Sequence, residues 1–251
     1  IDGVDHLEGV DITTADFYAA WRGGHTPDIS TSQPAPGQFL AAYQQLVDRG
    51  ATEILSIHVA DAMSGTLNSA RLAAQSAPVP VHLVDSMTAS FGVSCCVWAA
   101  APAVEAGASI DEAARIAGNR SAALGSSFIV GAPHLAERSG RATGAGIAAA
   151  AEVGNPVLSM TGSDSAVLDT VTTVDAAVAA MAAYALAWPP SSPDGLRVAI
   201  GTSDVSSGAV SAALTNALSG HRALAEPPVQ YTIGPSVGAH TGPGTSGLFV
   251  F

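Results

Sequence analysis

The sequence contains no lysine, because its nine basic residues are all arginine. That absence excludes every mechanism that depends on a lysine Schiff base, a P-loop lysine or a lysine general base. Positive charge is scarce overall, since 21 acidic residues against 9 basic ones give a formal net charge of −12. A chain of this charge repels polyanions, so we expect no binding to nucleic acid.

Long apolar stretches and a recognisable secretory signal are missing as well. Apolar runs such as the one from Cys95 to Val104 are well short of the roughly 18 residues that a membrane-spanning helix needs. The two cysteines are adjacent, and neighbouring side chains are poorly placed to form a disulfide. They indicate core packing in a reducing compartment, so we expect a cytoplasmic protein. The first residue is Ile1 rather than methionine, and we expect residues upstream of it.

Short β-branched runs alternate with helical patterns along the chain, which is typical of an α/β protein. In the first half, strands are predicted at 53–59 and 81–84, each followed by a helix, and this rhythm indicates a parallel α/β/α domain. In the second half, a hairpin over 156–174 and further strands predict an α/β domain with a mixed sheet. We therefore predict two domains, residues 1–125 and 126–251.

Three turns of the first half carry hydroxyl side chains where a strand is expected to end and a helix to begin. They are Thr31-Ser32, Ser64-Gly65-Thr66 and Asp85-Ser86. In a parallel α/β sheet such turns meet at the carboxyl ends of the strands, where ligands bind. Serine hydroxyls and the free N–H groups at the start of a helix suit an anion such as a carboxylate. A serine at such a turn, taken singly, commonly does no more than cap its helix.

Two segments of the second half carry further candidate groups. A glycine-rich loop is predicted over 234–247, and it presents His240, whose imidazole is able to donate to an anion. Arg138 and Arg141 flank a Ser-Gly turn, which suits an anion or the acidic surface of a partner, although surface arginines often bind neither. The histidines show no metal-ligand spacing, so we infer no metal and no other cofactor.

Several blocks of the sequence resemble one known family in order and spacing. They are Gly9-Val-Asp-Ile12, Phe17-Tyr18, Thr31-Ser-Gln-Pro-Ala-Pro36, Ser56-Ile-His-Val59, Ser64-Gly-Thr-Leu-Asn-Ser-Ala70, Val84-Asp-Ser86, Arg138-Ser-Gly-Arg141 and Gly238-Ala-His-Thr-Gly-Pro-Gly244. Together these blocks resemble the DegV family of bacterial fatty-acid-binding proteins. The resemblance extends over nearly the whole chain, and the TSQP and SGT blocks are its most specific part.

The resemblance implies a protein of two α/β domains that binds one long-chain fatty acid without catalysing a reaction itself. The tail would be buried in an apolar tunnel, and the carboxylate would lie at the interdomain cleft. By motif position, its ligands would be Thr31, Ser32, Ser64, Gly65, Ser86 and His240. Members of the FakB type present the carboxylate to a separate kinase subunit, which uses ATP to form an acyl phosphate. Arg141 is similar to a family arginine that engages the kinase or the acyl phosphate.

The sequence also departs from the family pattern, and other functions stay open. Family members usually begin with a strand ending in Thr-Asp-Ser, so we expect the first strand of the N-terminal domain to be absent from this sequence. A rival function is a small-molecule hydrolase or transferase that uses Ser64 and His240, although the residues around Ser64 lack the glycine of a nucleophile elbow. A third is an interaction module whose acidic surface binds a basic partner.

Overall fold

The computed structural model of the protein describes residues 1–140, 146–161, 164–190 and 193–251. Its α-helices are α1 (Thr14–Ala19), α2 (Pro36–Asp48), α3 (Thr66–Ala74), α4 (Phe91–Glu105), α5 (Ile110–Ala122), α6 (Pro133–Ser139), α7 (Ile147–Val153), α8 (Val174–Ala187), α9 (Gly208–Leu218) and α10 (Pro235–Thr241). Its strands are β1 (Ile54–His58), β2 (Val81–Asp85), β3 (Gly125–Ile129), β4 (Asn155–Thr161), β5 (Asp164–Val171), β6 (Val198–Thr202), β7 (Val229–Thr232) and β8 (Ser246–Val250). Among the described residues, no helix combines the length and the apolar character needed to cross a bilayer.

The chain folds into two compact units. The two-stranded unit is Ser32–Leu124, and the six-stranded unit combines Ile1–Thr31 with Gly125–Phe251. These units differ from the predicted domains 1–125 and 126–251, because residues 1–31 pack with the later part of the chain. The physical reason lies in α1, whose Phe17 and Tyr18 are buried in one apolar cluster with Ala239 of α10. Nothing local in the first 31 residues signals that long-range contact.

The two-stranded unit is built around β1 and β2, which pair in parallel from Ile54 opposite Val81 to His58 opposite Asp85. The connection between them includes α3, as a parallel pair requires a crossover. The helical spacing of apolar residues that predicts α2 buries Tyr43, which forms a small core with Ile54 and Ala73. This arrangement confirms the predicted parallel α/β character of the first half.

The six-stranded unit contains a mixed sheet with the strand order β5-β4-β3-β8-β6-β7. The β6–β7 pair is parallel, and the other neighbouring strands are antiparallel. The predicted hairpin corresponds to β4 and β5, and its tip at 162–163 lies outside the described residues. Helices α8 and α9 contribute Met181 and Leu214 to a fully buried cluster with Leu248 of β8. The mixed sheet is thus confirmed.

The segment between β7 and β8 differs from the prediction made from the sequence. Instead of a glycine-rich loop over 234–247, the structure has helix α10 in this segment. Pro235 begins the helix, where its fixed φ fits and its missing N–H leaves no helical bond unmade. Gly242, with φ +74, ends it. Proline and glycine therefore mark helix boundaries here, and His240 lies in the last helical turn.

Candidate functional site

His240 and Thr31 meet in the six-stranded unit, although 209 positions separate them in the sequence. His240 Nε2 lies 3.1 Å from Thr31 Oγ1. Thr31 is exposed, and His240 is half-buried. In the tautomer that carries its proton on Nε2, the imidazole donates to Thr31 Oγ1, and the threonine hydroxyl proton remains for a ligand oxygen. The pair therefore offers an oriented hydroxyl group that is able to donate a hydrogen bond to a carboxylate.

The position of His240 depends on close packing between α10 and α1. The Tyr18 hydroxyl donates to the Ile233 carbonyl, 3.1 Å away and just before α10 begins. A Cβ at Gly238 would lie 2.5 Å from Tyr18 Oη and 2.7 Å from Phe17 Cε1, so only glycine permits this approach. Burial raises the pKa of the Tyr18 phenol strongly, and the nearby carboxylates Asp204 and Glu8 add to the effect. Tyr18 is therefore a permanent hydrogen-bond donor.

Ser64 precedes α3 in the two-stranded unit and bonds with its own turn. Its hydroxyl oxygen lies 2.7 Å from Thr66 Oγ1 and accepts the Thr66 N–H at 3.3 Å. The N-cap of α3 is Gly65 rather than Ser64, and a serine hydroxyl that accepts the N–H two residues further on forms a local turn. The structure therefore explains Ser64 locally, and its predicted contact with a carboxylate stays a prediction.

Gln33 lies directly over Gly65, and this contact was not predicted from the sequence. A Cβ at Gly65 would lie 2.8 Å from Gln33 Nε2 and 2.9 Å from Gln33 Cδ. Gln33 of the TSQP block and Gly65 of the SGT block therefore meet within the two-stranded unit. The sequence carries no signal for this contact, because Gly65 has a φ of −67°, which any residue adopts, and only the folded structure brings the Gln33 side chain over it.

Ser86 follows β2 directly, as predicted, and is fully buried. Its hydroxyl donates to the Thr88 carbonyl at 3.3 Å, and its N–H donates to the His58 carbonyl at 3.0 Å. The Ser121 hydroxyl in turn donates to the Ser86 carbonyl. These bonds hold the turn after β2, so a role as a carboxylate ligand remains a prediction. Ser32, by contrast, is exposed.

Of the two arginines that flank the Ser-Gly turn, the structure describes only Arg138. Arg138 lies in the last turn of α6, where its guanidinium donates to the Ile29 carbonyl at 2.8 Å and lies 3.7 Å from the Asp28 carboxylate. It thus supports the segment that leads to Thr31, and these contacts explain Arg138 without a bound ligand. Arg141 lies outside the described residues, and its predicted role stays a prediction.

A buried chain of polar groups lies on β1 and α2. His58 Nε2 is 2.7 Å from Ser56 Oγ, which is 3.0 Å from Tyr43 Oη. Burial lowers the pKa of His58, so the neutral imidazole accepts from Ser56, and Ser56 accepts from Tyr43. Within the described residues, no group of three or more His, Cys, Asp or Glu is arranged to hold a metal ion.

The fold and the site together define a class: an α/β protein of two units, one of which presents an exposed threonine hydroxyl held by an imidazole. The chain belongs to the DegV family, because the model of that family, described as one of uncharacterised proteins, matches residues 1–251. The family resemblance is therefore confirmed. A FakB-type role beside a kinase stays a prediction.

Known proteins similar to this chain carry the same family name. A DegV domain-containing protein of Streptomyces coelicolor is 31% identical over 244 residues, which cover 97% of this chain and 85% of the relative. One of Mycobacterium tuberculosis is 30% identical over 255 residues, covering 100% of this chain and 86% of the relative.

Solved structures agree with the fold. A DegV family protein from Thermus thermophilus, reported for its fatty acid binding, matches with a TM-score of 0.87 and 27% identity, covering 99% of this chain and 88% of that one. A DegV family protein from Eubacterium eligens, loaded with heptadecanoic acid, has a TM-score of 0.82 at 16% identity, with the same coverage of 99% and 88%. The second match shows the fold alone.

Proposed function

We propose that this protein binds one long-chain fatty acid, with the tail buried and the carboxylate held at the Thr31–His240 pair. The observation that carries the proposal is the 3.1 Å contact between His240 Nε2 and Thr31 Oγ1. It joins the TSQP block to the closing block of the family resemblance. The Thermus protein reported for fatty acid binding supports the proposal, because it is similar over 99% of this chain.

The affinity would come mainly from the tail. A tail of roughly 16 to 18 carbons offers about 15 methylenes at ~0.8 kcal/mol each, so burial contributes on the order of 10 kcal/mol before the ordering costs of binding. The formal net charge of −12 gives the protein no general attraction for an anion. Directed hydrogen bonds must therefore hold the carboxylate and fix its orientation.

We also propose that the bound acid is the substrate of a separate kinase subunit, and that this chain is the binding subunit rather than the catalyst. A carboxylate oxygen would attack the γ-phosphorus of ATP and form a new O–P bond, while the bond from the γ-phosphorus to the bridging oxygen breaks and ADP leaves. Hydrogen-bond donors such as Thr31 and His240 suit this step. A bidentate arginine would compete with the phosphoryl group for the carboxylate oxygens.

Native mass spectrometry tests the binding proposal most directly. Protein purified without delipidation should carry one acyl chain per molecule, and delipidated protein should bind added palmitate. Thr31→Val and His240→Ala should each weaken palmitate binding by about ten- to a hundredfold, as expected for a lost hydrogen bond to a charged group. His134→Ala is the matched control, because His134 is an exposed histidine of the same unit.

The same assay separates the alternatives. Protein that arrives empty and binds no added palmitate would refute the proposal, and ester hydrolysis lost in Ser64→Ala would favour the serine-dependent enzyme. The predicted ligands of the two-stranded unit are tested by Ser32→Ala, Ser64→Ala, Gly65→Ala and Ser86→Ala. For the kinase step, trapping of the acyl phosphate with hydroxylamine in the presence of ATP and cell extract should require Arg141.

A further inference from the structure

The N-terminal end of α10 is fixed by a carboxylate from a distant segment. Glu8 Oε2 accepts the Ser236 N–H at 3.0 Å and also accepts the Ser236 hydroxyl. The first N–H groups of a helix have no partner within the helix, so an outside acceptor completes this end. Ser236 and His240 lie one helical turn apart, and Glu8 therefore fixes the same short helix that presents the imidazole.

The segment that follows α10 is fixed by a second carboxylate, which belongs to the turn after β6. Asp204 Oδ1 accepts the Gly244 N–H at 2.8 Å, the Ser206 hydroxyl at 2.8 Å and the Ser203 hydroxyl at 2.9 Å. Burial opposes ionisation of Asp204, but these hydrogen bonds outweigh it and hold its pKa below the ordinary value. Asp204 is thus an ionised and oriented acceptor.

The chain between His240 and Gly244 is bonded at nearly every position. The Thr241 carbonyl accepts the Ala132 N–H at 2.9 Å, and the Thr245 hydroxyl lies 2.9 Å from the same carbonyl. Thr245 Oγ1 also accepts the Gly131 N–H at 3.0 Å. Gly244 is thus joined to the last turn of α10 through its neighbour Thr245, and we expect a displacement of Gly244 to reach that turn.

We propose that Asp204 and Glu8 are positioning residues that hold His240 against Thr31 and thereby make the site selective for a carboxylate. The inference rests on the proposed function, because it concerns how the groups of the proposed carboxylate site are held in position. A shift of about 1 Å in α10 would stretch the 3.1 Å bond between His240 and Thr31 beyond hydrogen-bond range. Neither carboxylate acts as a ligand, since a second anion would repel the headgroup.

The test compares palmitate with 1-hexadecanol, which has the same tail and no carboxylate. Asp204→Ala should weaken palmitate binding by about three- to tenfold, the loss expected when a hydrogen bond is misaligned rather than removed, and should leave hexadecanol binding unchanged. Asp204→Asn keeps an oxygen that accepts the Gly244 N–H, so it should restore most of the palmitate affinity. In a His240→Ala background, Asp204→Ala should have no further effect.

Asp169→Ala is the matched control. Asp169 is an exposed carboxylate of the same unit, and it also accepts a backbone N–H, that of Thr170 at 2.7 Å. This variant changes the net charge as Asp204→Ala does and should bind both ligands like the unmodified protein. If Asp204→Ala does not fold, Glu8→Ala and Glu8→Gln make the same test at the other end of α10.

A spectroscopic readout on the ligand-free protein separates this inference from the proposed function. The NMR signals of the His240 ring nitrogens are assigned by their loss in His240→Ala. In Asp204→Ala and Glu8→Ala these signals should shift towards their position in Thr31→Val, and in Asp204→Asn they should not shift. This result stands even where palmitate does not bind, which would refute only the proposed function. Equal losses for palmitate and hexadecanol, additivity with His240→Ala, or an unchanged His240 spectrum would overturn the inference.

Discussion

The two units hold their candidate polar groups in different ways. In the six-stranded unit, His240 meets Thr31 across 209 positions of sequence. In the two-stranded unit, the hydroxyls of Ser64 and Ser86 bond with residues two positions further along the chain. The first arrangement is a product of tertiary packing, and the second is a product of turn sequence. The polar pair of the six-stranded unit is therefore the one that depends on the stability of its whole fold.

The cores of the two units also differ, because the side chains of the six-stranded unit are more completely buried. In the six-stranded unit, both helices α8 and α9 pack on the sheet, and side chains such as Leu248 are fully buried. In the two-stranded unit, a cluster around Tyr43 and Ile54 is completed by partly buried neighbours such as Leu40. Most of the largest fully buried side chains lie in the six-stranded unit, and a core with fewer of them leaves less free energy to oppose local opening. We therefore expect the six-stranded unit to be the more stable part.

A matched pair of leucine truncations tests that difference with the largest expected effect. Leu248→Ala removes a side chain with 0% exposure from the central region of the mixed sheet and should destabilise its unit by about 3–5 kcal/mol. Leu40→Ala removes a partly buried side chain and should cost about 1 kcal/mol. Hydrogen exchange followed by mass spectrometry reports the stability of each unit separately.

The exchange pattern also serves as the control, because each truncation should raise exchange mainly in its own unit. An equal loss of protection from the two truncations would contradict the proposed difference between the cores. So would a loss in both units after either change, since the chain would then unfold as one cooperative body.

Local pattern was enough to predict most elements of the fold. Alternating and helical spacings predicted α2, β1 and the β4–β5 hairpin, because each buries one face within a short stretch of chain. The same reasoning failed for α10, which is short and bounded by Pro235 and Gly242. It also failed for residues 1–31, because their partner Ala239 lies far along the chain. Family resemblance, rather than spacing, linked Thr31 with His240.

Two glycines sharpen the contrast at an intermediate size of effect. Gly238→Ala would place its Cβ against the buried rings of Phe17 and Tyr18, which cannot yield, and should destabilise the six-stranded unit by about 1–3 kcal/mol. Gly65→Ala meets the end of the exposed Gln33 side chain, which can rotate away, so its cost should stay below about 0.5 kcal/mol. Urea denaturation, with hydrogen exchange followed in each unit, measures the loss of stability in both variants.

Relief of the clash provides the check on this pair. Gln33→Ala added to Gly65→Ala should remove whatever cost Gly65→Ala has, because no side chain then lies over the new methyl group. A Gly65→Ala variant as unstable as Gly238→Ala would mean that Gln33 is held rigidly over the turn. Gln33 would then be a fixed part of the site rather than an adaptable cover, and the two units would be alike in this respect.

The smallest expected effect is a pH dependence between about pH 7.5 and 5.5 that arises in the two-stranded unit. Burial lowers the pKa of His58 below the ordinary value of 6.5, so the folded chain keeps the imidazole neutral. As the pH falls below about 6.5, the unfolded chain takes up a proton before the folded chain does. Stability contributed by His58 is thus complete above that pH and is lost below it, with a slope of at most about 1.4 kcal/mol per pH unit.

The polar chain around His58 gives this prediction its control. Protonation would turn Nε2 from an acceptor into a donor and so oppose the hydrogen bond that it receives from Ser56. His58→Gln keeps a polar side chain without titrating, and it should flatten the dependence between about pH 7.5 and 5.5. His134→Gln should leave the dependence intact, because His134 is exposed in the six-stranded unit. A dependence that survives His58→Gln would assign the titration to another group and remove this distinction between the units.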